Sequence, residues 1–62
     1  MQLWHPQKAQ WIKLSPEATL LLLIFANTKK GAINILMKCT KFQMNEAQNI
    51  IEHNWKKIKE LV

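Results

Sequence analysis

Apolar residues recur at helical spacing in three stretches of this chain, separated by short polar connections. In the middle stretch Ile33, Leu36, Met37 and Thr40 follow the i, i+3, i+4 rule, with Ala32, Ile35 and Cys39 beside them, which predicts a helix over residues 32–40. In the last stretch Ala47, Ile50, Ile51, Trp55, Ile58 and Val62 form one stripe, and no proline or glycine interrupts it. A helix over residues 45–60 follows, with Asn45 as its expected cap and Gln48 three positions on. Glu52 and Lys56, four apart, support its exposed side.

The first stretch is of a different kind. Ser15, Pro16 and Glu17 form a helix start: a hydroxyl cap, a proline whose missing N–H costs nothing there, and an acid near the positive helix end. The apolar run at residues 20–25 that follows fits either a buried strand or a helix by periodicity. Four consecutive leucines favour a helix, over residues 16–27. Six successive apolar residues point in every direction around a helix, more than one neighbouring helix pair can bury. Either the tryptophan-bearing N-terminus covers the surplus, or a second chain does. That N-terminus, residues 1–14, carries Trp4, Trp11, Ile12 and Leu14 among polar residues and is broken by Pro6. It reads as an irregular arm laid as a lid across the helices.

The expected fold is therefore all-α, a small three-helix bundle in one domain, with an arm at 1–14 and a helical core at 15–62. At 62 residues such a domain buries only roughly 60% of its unfolded surface, so its stability margin is thin. One cysteine, Cys39, excludes an internal disulfide, and with His5 and His53 far apart a zinc site is not expected. Close helix packing or association with another chain is left to supply the margin. With Ala18, Thr19 and Ala26 flanking it, the apolar run is about half the length needed to span a bilayer, and the first residues lack the features of a signal peptide, which sets a reduced cytoplasmic environment as the expectation.

The net charge of +5 favours acidic partners, yet all the basic residues are lysines, and arginine is the residue that grips phosphate or guanine bidentately. Candidate chemistry is sparse. Cys39 reads as a buried, unreactive thiol on an apolar helix face, Met37 and Met44 as core filler, and His53 as a solvated side chain. Glu17, Glu46, Glu52 and Glu60 are the only acids, and none is paired at a spacing that suggests acid–base catalysis. Neither an enzyme nor a cofactor is expected.

Residues 29–52, KKGAINILMKCTKFQMNEAQNIIE, resemble the helical hairpin in the C-terminal domain of the bacterial ribosomal stalk protein and in small free-standing proteins built on it. Ala32, Ile33, Leu36, Thr40, Phe42, Met44, Glu46, Ala47, Ile50, Ile51 and Glu52 fall on identical or similar positions. The resemblance implies the hairpin fold. Where that family has two turn glycines, this chain has Lys41, Phe42, Gln43 and Met44, and the family's basic contacts to translation factors fall on the uncharged Asn34, Met37, Asn45 and Gln48.

The same stretch is also similar to the helix-turn-helix of transcription factors, with Leu36, Met37, Phe42, Ala47 and Ile50 on its apolar positions, Lys41 at its turn glycine and Thr40 at a buried one. That resemblance implies a nucleic-acid surface of Lys38, Lys41, Asn45, Gln48, Asn49, Lys56 and Lys57. The favoured expectation is a non-catalytic protein–protein interaction module that binds another protein or its own copy, through Leu20, Leu21, Leu23 and Ile24 with Trp4 and Trp11. Nucleic acid is the alternative partner. Action of a cationic, tryptophan-bearing chain at an anionic membrane surface is a third class, and a membrane partner is the least expected.

Overall fold

Residues 2–13, expected to be irregular, form a β-hairpin in a computed structural model that describes residues 1–61. Strands β1 (Gln2–His5) and β2 (Gln10–Lys13) pair antiparallel, with Leu3 opposite Ile12 and Trp4 opposite Trp11. The chain is therefore mostly helical with a small two-stranded sheet, and not purely all-α. Pro6, read as a breaker, opens the turn, and Ala9 closes it in the left-handed region at φ 50°. An alanine there is strained by about 1 kcal/mol. Ala9→Gly should raise stability by about 0.5–1 kcal/mol in a urea titration, the opposite of the usual effect of adding a glycine.

An isolated two-stranded hairpin is marginal in water, so this one depends on what it packs against. The Leu14 N–H donates to the Met1 carbonyl at 2.9 Å. That bond, with the register, places Leu3 with Ile12 and His5 with Gln10 at the mutually bonded positions. The backbone groups of Gln2 and Trp4 consequently point out of the free side of β1. Helix α3 (Met44–Leu61) meets them there.

Helix α1 (Pro16–Phe25) begins as expected, with the Ser15 hydroxyl accepting from the Ala18 N–H at 3.1 Å. It stops at Phe25, two residues short of the predicted end. Helix α2 (Lys29–Cys39) starts three residues early because Thr28 caps it, accepting from the Gly31 N–H at 3.0 Å. The chain's one glycine thus lies inside the first turn of α2 and not in the connection. A Cβ on it would lie 2.5 Å from the Phe25 carbonyl oxygen, so its bareness is what lets the end of α1 touch the start of α2.

The turn between α2 and α3 closes without any left-handed residue. Thr40 replaces the glycines that the stalk-like resemblance would place nearby. Its N–H and hydroxyl both donate to the Leu36 carbonyl, at 3.0 and 2.6 Å, and the hydroxyl oxygen accepts from the Phe42 N–H at 3.3 Å. Helix α3 begins one residue earlier than predicted: the Gln43 carbonyl accepts from the Ala47 N–H at 2.9 Å, which puts Asn45 within the first turn and not at the cap.

The core draws on the hairpin and all three helices: Leu3, Leu22, Ala26, Ala32, Leu36, Ala47, Ile50, Ile51 and Ile58 are buried together. Alanines at 26, 32 and 47 let the helices approach closely. Two expected core residues are exposed, Cys39 and Met44. Cys39 shares the side of Ala32 and Leu36 by spacing but is the last residue of α2, and Met44 is the first residue of α3, three positions before Ala47 opens the buried stripe. Val62, the last member of the predicted stripe, lies outside the described residues.

Candidate interaction surface

Helix α1 buries one side and leaves an equally apolar side open. Ala18, Leu22 and Ala26, spaced by four, face the core. On the opposite side Leu20, Leu21, Ile24 and Phe25 are 62%, 42%, 63% and 50% exposed. These four occur at i, i+1, i+4 and i+5, so they form one continuous strip and not scattered surface residues. Leu23, also expected at an interface, is half-buried at the strip's edge. Phe25 belongs to the strip and was not among the residues the sequence singled out.

The tryptophans do not cover this strip, contrary to the lid expected from the sequence. The reason is the hairpin: β1 packs on α3, which draws both rings to that side. Trp4 is half-buried and Trp11 is exposed. Their rings meet edge to face at 5.2 Å, and the Lys57 ammonium lies 5.3 Å from the centre of the Trp11 ring. The site candidates therefore fall into two separate places, the open strip on α1 and the tryptophan pair beside α3.

The join between hairpin and α3 is made by two polar side chains one helical turn apart. Asn54 is buried; its Oδ1 accepts from the Trp4 N–H at 3.0 Å and its Nδ2 donates to the Trp4 carbonyl at 2.9 Å and to the Ile50 carbonyl at 2.6 Å. It acts as a substitute neighbouring strand. Lys57 Nζ donates to the Gln2 carbonyl at 2.8 Å. Together they meet the Trp4 N–H, the Trp4 carbonyl and the Gln2 carbonyl on the outward side of β1.

At the turn of the hairpin His5 is fully buried, edge-on to Phe42 with ring centres 5.4 Å apart. Its Nδ1 accepts from the Lys8 N–H at 3.3 Å, so Nε2 is the donor to Glu46 Oε2 at 3.2 Å. Lys8 Nζ lies 3.9 Å from the same carboxylate oxygen. The ring is enclosed on all sides and ties the β-turn to the first turn of α3. No role for His5 was drawn from the sequence. The available signal was the alternation of Leu3 and His5 about Trp4, which puts histidine on the buried face once the segment is read as a strand.

Of the nucleic-acid candidates, Asn45, Gln48 and Lys56 are exposed and Asn49 is half-buried. Their spacing puts all four on the outward side of α3, with Glu52 among them. Lys38 and Lys41 are exposed near the end of α2 and in the following turn. Lys57 is turned away from the group, held by Gln2 and Trp11. No helix among the described residues is long and apolar enough to cross a membrane. Comparison with protein-family models, with curated proteins and with solved structures finds no match to this chain.

Proposed function

We propose that this chain is a small, non-catalytic protein-interaction module that associates with its own copy through the outward strip of α1. One observation carries the reading: four large apolar side chains stand open on a helix whose other side is already filled by core. They leave on the order of 400 Å² uncovered, comparable to the largest apolar patch on a typical monomer, where such patches are often functional. With the flanking polar residues included, two copies approach the small end of specific interfaces, which is the range of reversible association.

The hairpin of α2 and α3 enters this proposal as a stalk-like fold alone. Recruitment of translation factors is no part of it, because Asn34, Met37, Asn45 and Gln48 bring no charge to that task. Nucleic-acid binding through α3 is the weaker reading, since Glu52 sits within the surface and Lys57 is withdrawn from it. A reduced cytoplasmic setting suits the module, as the exposed Cys39 stays a free thiol there.

The test is a double substitution that leaves the core alone. Leu20→Gln with Ile24→Gln should convert a dimer to a monomer in light scattering between about 10 and 200 μM, a range chosen for micromolar affinity, with the circular dichroism unchanged. A wild-type chain that scatters as a monomer across the range would sink the reading.

A further inference from the structure

The outward strip of α1 has charge at both ends, and the two ends differ in sign. Glu17, in the first turn of α1, starts the i, i+3, i+4, i+7, i+8 series that Leu20, Leu21, Ile24 and Phe25 continue. It is exposed and forms no ion pair among the described residues. At the other end of the strip the Phe25 carbonyl abuts Gly31 in the first turn of α2. Lys29 and Lys30 stand exposed in that turn, which contains no acid. Two ammonium groups there sit against the positive end of their own helix, the reverse of what a helix dipole favours.

We propose that two copies pair through α1 in antiparallel order about a two-fold axis, and that Glu17 of each closes on the Thr28–Lys30 turn of the other. The proposal rests on the self-association reading above and assigns its partner geometry. In a two-fold antiparallel pair, centring the strip on itself sets Leu21 opposite Ile24 and Leu20 opposite Phe25. The same register carries Glu17 to Thr28, at the start of the other copy's α2. The carboxylate then meets two lysines and a helix N-terminus, each of favourable sign. A parallel pair would instead set Glu17 against Glu17 and the lysines against the lysines, repelling at both ends.

Salt alone cannot isolate this contact, because it screens the latch and also the mutual repulsion of two chains of net charge +5. Charge reversal can. Glu17→Lys should raise the dimer Kd about tenfold or more in sedimentation equilibrium, each dimer losing two latches and gaining two like-charge contacts. Glu52→Lys makes the same change in net charge on α3 and should move Kd by less than about threefold.

The sharper variant is Lys29→Glu with Lys30→Glu. It lowers the net charge from +5 by four, which by general repulsion would strengthen the dimer, yet the latch requires that it weaken. Adding Glu17→Lys to that pair should restore Kd to within about threefold of wild type, the usual scatter of surface charge changes. Equal effects of Glu17→Lys and Glu52→Lys, or a tighter dimer for Lys29→Glu with Lys30→Glu, would overturn the antiparallel latch. If Leu20→Gln with Ile24→Gln still disrupts the dimer in that case, the self-association reading stands without it. A monomeric wild type removes both.

Discussion

Replacing Asn54 with leucine should cost about 2–4 kcal/mol, although the new side chain has nearly the same volume and is the better helix former. The Trp4 N–H and carbonyl face α3 because the register of the hairpin turns them away from β2. Asn54 is the partner of both. Leucine offers neither a donor nor an acceptor, and each backbone group left without a partner at that join costs roughly 1–3 kcal/mol. A domain of this size has a stability of about 3–9 kcal/mol, so a large share would be lost. Urea unfolding followed by tryptophan fluorescence measures it. A change under about 0.5 kcal/mol, the scale of an ordinary surface substitution, would show that the hairpin is held by something else.

Gly31→Ala should also destabilise, by about 1–3 kcal/mol, where propensity alone predicts a gain of about 1 kcal/mol for alanine inside a helix. The sign turns on what the new methyl would meet. It would stand 2.5 Å from the Phe25 carbonyl oxygen and 3.3 Å from the Thr28 hydroxyl oxygen that caps α2. Backbone cannot step aside as a flexible side chain can. Relief requires the end of α1 to move off α2, which loosens the packing of Ala26 and Ala32 in the core. For a domain of this length each kcal/mol lost lowers the melting temperature by about 4–8 °C, so calorimetry resolves the result. A rise in melting temperature would contradict the close approach of the two helices.

Local chemistry in the sequence was enough to locate the three helices, because their caps and apolar spacing act within a few residues. Ser15, Pro16 and Glu17 start α1 as read, and the stripe of Ala47, Ile50, Ile51 and Ile58 is buried as read. Boundaries shifted where a side chain did unexpected work, as at Thr28, which starts α2 before the glycine, and at Thr40, which ends it. The hairpin was hidden for a different reason. Its strands are four residues each, too short to show a period, and they are stabilised by groups fifty residues away in the chain, Asn54 on Trp4 among them. Its turn uses a left-handed alanine in place of the glycine or asparagine that would have announced it.

The candidate surface was legible in part. Six consecutive apolar residues on one helix required that some be left over, and the leftover proved to include Leu20, Leu21 and Ile24. Whether the tryptophans covered them depended on the side of the bundle to which the hairpin docks. That is settled by Asn54 and Lys57 on α3, whose polar contacts leave no trace in an apolar pattern. Phe25 completes the strip one position after Ile24 and four after Leu21, and His5 falls on the buried face only once residues 2–5 form a strand.

We propose the open strip of α1 as a contact surface between copies of this chain. Amide chemical shifts recorded as the protein is diluted from about 1 mM to about 10 μM, a span that brackets micromolar association, test it most directly. Shifts should be confined to residues 17–25 and the first turn of α2, with the outward side of α3 unmoved. A spectrum independent of concentration, or shifts centred on Gln48 and Lys56 instead, would contradict it.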